Sequence, residues 1–249
     1  MEELEAIGRF GEGVFSAVAS HVPCVKIQLA CFERYGAAGF GVYEQLLGFA
    51  RQLGLLVIAD AKRGDIGSSA AHYASAFLCG DLAADGLTVN TLFGSDGLQP
   101  FLEIAMAQGK GLFALVRTTN PGGDAIQNLA LKDGRTVSEA IGDVVAACGT
   151  EPPYIGRCGY SLLGAVVGAT RPAQAKVLRR RLPQQMFLVP GFGTQGGSVD
   201  DVKACFKSDG TGALISASRS IIEAGCGPDW QSQIESAAIK FKKQVASIL

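Results

Sequence analysis

"LLVIADAKRGDIGSSA", residues 55–70, opens on an unbroken apolar run at 55–59 and then sets Asp60, Lys62, Arg63 and Asp65 within six positions. A short continuous apolar run is what a strand covered on both faces looks like, and such strands belong to parallel sheets. Only 18% of the chain is charged, so this concentration at one strand end needs a reason. On a strand, residues i and i+2 point the same way, which puts Asp60 and Lys62 on one face. In a parallel barrel the carboxyl ends of the strands look into the active-site mouth. Asp65 falls beyond the strand, in a loop. Lys26, near the end of the preceding apolar run, can reach the same space. Lys26, Asp60, Lys62 and Asp65 then alternate in sign, and an unpaired ion in so dry a place would cost roughly several kcal/mol. From the residues alone, a stabilising ion-pair network on the rim and a reactive site both remain open.

Working outward, the same kind of run recurs at 22–28, 55–61, 87–92, 112–118, 165–169, 186–189 and 213–216. Helical patterns lie between them. One places Ile7, Phe10, Val14, Phe15 and Val18 on a single face, and another spans 137–148 behind Thr136, a capping residue. Strand–helix alternation means a parallel sheet. At 249 residues, with no Pro/Ser-rich linker, the chain reads as one domain over 1–249. The fold class expected is α/β, a (β/α)8 TIM barrel whose first strand is missing: the seven runs fall one short, and the chain opens on a helix.

Composition narrows the function. Hydrophobic content is 48%, enough for a substantial core, and the net charge of −1 gives no reason to expect a nucleic-acid partner or a membrane surface. No stretch approaches the roughly 20 apolar residues of a membrane span. Seven cysteines without a C-x-x-C pair and only two histidines, His21 and His72, argue against zinc and for buried thiols in a reducing cytosol. The acidic N-terminus does not look like a signal peptide.

Two motifs mislead. Gly191-Phe-Gly193-Thr-Gln-Gly196 matches G-x-G-x-x-G, but the next strand ends in Ser216-Ala-Ser218-Arg219, without the acid that would hold a dinucleotide ribose. Arg63-Gly64-Asp65 matches an adhesion tripeptide, a frequent chance match in a chain with no sign of export. The Gly-rich stretch at 191–197 can instead offer bare N–H groups to a phosphate, and Arg219, one strand later, can add a charged fork. Barrels commonly bind phosphate with the loops after strands 7 and 8, which these two loops would be.

With these pieces in place, D-x-K-x-x-D at Asp60, Lys62 and Asp65 resembles the motif of orotidine 5′-phosphate decarboxylases. The wording DAKRGDIGSSA is similar to their bacterial type 2 branch. Lys26-Ile-Gln28, Thr88-Val-Asn90, Arg117-Thr-Thr-Asn-Pro-Gly122, Gly164-Ala-Val-Val-Gly-Ala-Thr170, Pro190-Gly-Phe-Gly-Thr-Gln-Gly-Gly197 and Ser218-Arg-Ser-Ile221 carry the resemblance in order through about 22–222. D-x-K-x-x-D alone is shared with related sugar-phosphate decarboxylases and aldolases; the ordered set is specific.

The resemblance implies metal-free, cofactor-free decarboxylation of orotidine 5′-monophosphate (OMP) to UMP, the last step of de novo UMP synthesis. Lys62 would protonate C6, Asp60 would lie against the departing carboxylate, and Lys26 would orient the array. Asp65, with Ile66 and Ser69, would cross the interface of a homodimer with shared sites. Gln195 and Arg219 would hold the phosphate and Thr119 the pyrimidine, with Pro190 among the substrate-binding residues. Two departures stand out. Thr91-Leu-Phe-Gly94 replaces the usual Pro-Tyr-Leu-Gly, and the family's first-strand aspartate has no counterpart, as expected of a truncated start. A metal-dependent sugar-phosphate decarboxylase or aldolase of the same superfamily, and an inactive barrel lacking its first strand, are the competing expectations.

Overall fold

Each of the seven apolar runs forms a strand, and every strand pairs in parallel with the next in sequence. The structure, a computed structural model, describes residues 2–192 and 199–248. Helix α1 (Glu2–Val18) precedes β1 (Cys24–Gln28). The crossover to β2 (Leu56–Arg63) holds the one-turn α2 (Ala30–Glu33) and the long α3 (Gly36–Gln52). Helix α4 (Gly67–Leu78) leads to β3 (Gly86–Val89), and α5 (Gly94–Gln108) to β4 (Gly111–Arg117). The short α6 (Asp124–Gln127) and α7 (Val137–Gly149) come before β5 (Leu163–Val167), and α8 (Pro172–Arg181) before β6 (Phe187–Val189). Helix α9 (Val199–Lys203), β7 (Ala213–Ile215), α10 (Arg219–Ile222) and α11 (Trp230–Ala246) complete the order. Parallel neighbours need such crossovers, and this repetition makes the curled α/β barrel that was expected, one strand short of eight among the described residues.

Local chemistry sets several boundaries. Thr136 caps α7 as anticipated, in a reciprocal box: Glu139 N–H donates to Thr136 Oγ1 at 3.3 Å, and Thr136 N–H to Glu139 Oε2 at 2.7 Å. Strand β3 stops at Val89, short of the expected 92, because Asn90 Oδ1 accepts the Leu92 N–H at 2.9 Å and turns the chain. Strand β2 runs past 61 to Arg63, carried through an irregularity in its pairing with β3.

Alternation along the strands separates two apolar layers. Val57, Ala59, Leu87, Val89, Ala165 and Val167 face the helices in the main core. Ile58, Phe113, Val166 and Leu188 face inward, with Cys24, Leu115, Met186 and Leu214 packed against them. This inner layer plugs the barrel and forms the floor beneath the strand ends.

The curl is not closed. Among the described residues β1 pairs only with β2 and β7 only with β6. Outside the gap the helical layer is continuous, because α1 packs against both α3 and α11. Gly11 lies over the Leu46 side chain, and a Cβ on Gly13 would come within 2.3 Å of the Trp230 ring. Phe10 stacks on Trp230 with ring centroids 5.3 Å apart, and His21 Nε2 lies 3.0 Å from Glu235 Oε1.

Candidate active site

Asp60 sits two positions beyond Ile58 on the inward face of β2, directly above the apolar floor. Lys26 Nζ donates to its Oδ2 at 2.5 Å and Lys62 Nζ to its Oδ1 at 2.5 Å. Strand register explains the meeting: Lys26 pairs with Ile58 and Gln28 with Asp60, so β1 delivers both side chains to the same inward face. Gln28 Nε2 donates to Oδ2 at 3.3 Å, and Thr88 Oγ1, from β3, donates to Oδ1 at 3.0 Å.

Burial by itself pushes the Asp60 carboxyl up. The charges and hydrogen bonds of Lys26 and Lys62 outweigh it and hold the group below its ordinary value, ionised at neutral pH. The trio therefore carries two cations against one anion, a surplus of one positive charge. The Lys62 side chain is 45% exposed while that of Asp60 is 9% exposed, so Lys62 is the charge a ligand can reach.

Lys62 is also the one non-glycine residue with positive φ (50°) among the described residues. A left-handed backbone costs a side-chain-bearing residue roughly 1–3 kcal/mol, and such strain persists only where the surroundings fix it.

Other expected residues line the same rim without touching the trio. Asp65 lies in the loop after β2, where its Oδ1 accepts the N–H of Ile66 at 2.8 Å; within this chain it is not brought to Lys62. Ile66 and Ser69 are exposed at the start of α4. Thr119 follows β4 and packs against Gly168 at the end of β5, where a Cβ would come within 2.6 Å of its methyl. Pro190 follows β6, and its carbonyl accepts the Ala169 N–H at 3.0 Å. Arg219 is exposed at the first position of α10, after β7. Gln195 and residues 193–198 of the Gly-rich loop lie outside the described residues.

Three participants had no stated role from sequence. Gln28 could have been found by the two-residue strand repeat from Lys26. Thr88 is the lone polar residue of β3, a signal visible only once β3 is set beside β2. Arg117, 1% exposed at the end of β4, is the third. Its Nε donates to Gln174 Oε1 at 2.6 Å, and its Nη1 to Gln127 Oε1 at 2.6 Å and to the Thr118 carbonyl at 3.2 Å. Its Nη2 pairs with Asp124, whose other oxygen accepts Arg171 Nη2 at 2.5 Å. This guanidinium binds the loop carrying Thr119 to the start of α8.

Comparison with known proteins matches residues 14–229 to a family described as orotidine 5′-phosphate decarboxylase / HUMPS. Among curated proteins, the orotidine 5′-phosphate decarboxylase of Rhodopirellula baltica is 40% identical over 247 residues, covering 93% of this chain and 81% of that one. Among solved structures, Leishmania donovani OMP decarboxylase superposes with a TM-score of 0.83 at 28% identity, covering 98% of this chain and 88% of that one. The Methanocaldococcus jannaschii enzyme, solved in complex with the inhibitor BMP, shares the fold, with a TM-score of 0.73 at 17% identity over 96% of this chain and 93% of that one.

Proposed function

Because the chain belongs to the orotidine 5′-phosphate decarboxylase / HUMPS family, we propose that its three-charge cluster performs the decarboxylation of OMP to UMP and CO2. The observation that carries this reading is the Asp60 carboxylate gripped by Lys26 and Lys62, at 2.5 Å each, on the rim above the apolar floor. The bond from C6 to the carboxylate breaks, its electron pair stays on C6, and CO2 departs. The Lys62 ammonium, already fixed in place, stabilises that carbanion and then gives it a proton. Asp60 lies against the departing carboxylate, and Lys26 keeps Asp60 ionised and oriented. Arg219 and Gln195 hold the phosphate, Thr119 contacts the pyrimidine, and Pro190 lies against the substrate. Remote phosphate binding supplies the energy that seats the reacting end.

A second copy of the chain completes the site. Asp65 spends its oxygen on its own loop, and the surface beside it is apolar: Ile66 is 57% exposed, Leu92 83% and Phe93 44%. Phe93 lies over Gly64 and Gly97, which joins the loops after β2 and β3 into one face. In a two-fold dimer through that face, Asp65, Ile66 and Ser69 reach the partner's substrate. The whole span 1–249 acts as one catalytic domain. Among the described residues no helix is long and apolar enough to cross a membrane. Its free thiols suit the reducing cytosol.

The metal-dependent alternative is disfavoured by charge, since both Asp60 oxygens face ammonium groups that would repel a divalent cation. The test is turnover of OMP, followed by pyrimidine absorbance after EDTA dialysis. We expect full activity without added metal, and a loss of about 1,000-fold or more in Lys62→Ala with UMP binding retained. Near-normal turnover in Lys62→Ala would sink the assignment. Mixing Lys62→Ala with Asp65→Ala subunits should restore activity in hybrid dimers, and no recovery despite proven exchange would remove the cross-subunit role of Asp65.

A further inference from the structure

We propose that Thr88 is a positioning residue that fastens Lys62 and Asp60 to each other through a single hydroxyl. The proposal deepens the decarboxylase reading and rests on it for its kinetic readout. Strands β2 and β3 pair at Ile58↔Gly86 and Ala59↔Leu87, lose register, and pair again only at Arg63↔Val89. Residues 60–62 of β2 therefore stand opposite one residue of β3, Thr88. A bulge of this kind leaves backbone groups without ladder partners.

At Lys62 the side chain of Thr88 makes good the loss. Lys62 N–H donates to Thr88 Oγ1 at 2.9 Å. The hydroxyl proton then has two acceptors in range, Asp60 Oδ1 at 3.0 Å and the Ala59 carbonyl at 3.5 Å, and the charged, nearer one wins. Asp60 Oδ1 is the same oxygen that takes the Lys62 ammonium. A closed ring results: Lys62 backbone to Thr88, Thr88 to Asp60, and Asp60 back to the Lys62 side chain.

Burial makes the hydroxyl hard to replace. Thr88 is 1% exposed, so water has little room to substitute. Its neighbours on β3, Gly86, Leu87 and Val89, offer no other side-chain acceptor. The left-handed Lys62 backbone is thus held at its own N–H by a group that also fixes the carboxylate beside it. Valine has the same shape as threonine but cannot accept the Lys62 N–H or donate to Asp60. Serine can do both.

The test compares Thr88→Val and Thr88→Ser in the full chain. In Thr88→Val, kcat should fall on the order of 100-fold, since a misplaced reacting group costs about that much, while KM and UMP affinity change little. The acid limb of the kcat profile should move to higher pH, because Asp60 loses a donor to its charged form. Thr88→Ser should recover most of the rate and return the limb. A packing role alone would shift thermal stability in both variants and leave the pH profile in place. A folded Thr88→Val with native kcat and pH profile would overturn the proposal. If Thr88→Val does not fold, Thr88→Ala takes its place, and a folded Thr88→Ser as slow as Ala overturns the proposal equally. Hydrogen exchange at the Lys62 amide, protected in the native chain and in Thr88→Ser but not in Val or Ala, reads the contact without turnover. A native chain that leaves OMP unchanged would instead defeat the decarboxylase reading, whatever that amide shows.

Discussion

The barrel has a wall and a seam, and the two are held by different physics. In the wall, every residue of β3 and β5 is buried, with Leu87 and Leu163 fully enclosed. At the seam, all of β7 and the first three residues of β1 are only partly covered. The wall is stabilised by apolar contact on both strand faces. The seam is held from outside by α1, bridging α3 and α11, while β1 is tied back to the wall by its ladder with β2 and by the ion pair between Lys26 and Asp60. The weaker-packed edge thus supplies one arm of the reacting cluster. The fully buried β5 carries none of the assigned residues, and β3 contributes Thr88 alone, whereas the half-covered β1 contributes Lys26.

The largest expected difference lies in the packing itself. Leu163→Ala in the wall should cost about 2–5 kcal/mol, as buried leucine truncations do, against roughly 1 kcal/mol for Ile215→Ala on β7. Urea midpoints measure both, and equal losses would erase the distinction.

Next comes the ionic tie. Asp60 has its folded-state pKa lowered, so it contributes stability that is present above the unfolded-chain value of about 3.9 and lost as pH falls through the folded value. Asp60→Asn should therefore be less stable at pH 7, by about 1–3 kcal/mol for charge-assisted bonds. The gap should close as pH falls below about 4. Thermal midpoints from neutral to acid follow it, and a gap independent of pH would mean that β1 is held without this charge.

The smallest effect belongs to the exposed His21–Glu235 contact across the seam. Glu235→Gln should change stability by about 0.2–1 kcal/mol at most, and less in high salt. A larger loss would make this contact a principal fastening of the seam.

Much of this is legible in the sequence itself, for identifiable reasons. The wall strands announce themselves because burial on both faces forces continuous apolar runs, and the cluster at 60–65 stands out against a sparsely charged chain. The open edge was readable too, since seven runs cannot make eight strands. What escaped depends on register. A sequence shows that Thr88 is a threonine but not that a bulge sets it opposite residues 60–62. The left-handed Lys62 escaped because the strand rule assumes extended backbone, under which 60 and 62 share a face without strain. Arg117 escaped because arginine is ordinarily exposed, and its burial follows from acceptors on Gln127, Asp124 and Gln174, brought together by two different helices, α6 and α8. The phosphate role of Gln195 stays on motif alone, beyond the described residues.

The stacking of Phe10 on Trp230 gives the seam an optical signature. The chain has a single tryptophan, and it stands at the junction of α1 and α11. Indole emission therefore reports one event, the seating of the first helix on the last, at wavelengths apart from the pyrimidine bands that follow turnover. Lifting of α1 would show in that light while the wall remained folded, so this protein carries its own fluorimeter for the place where its barrel is open.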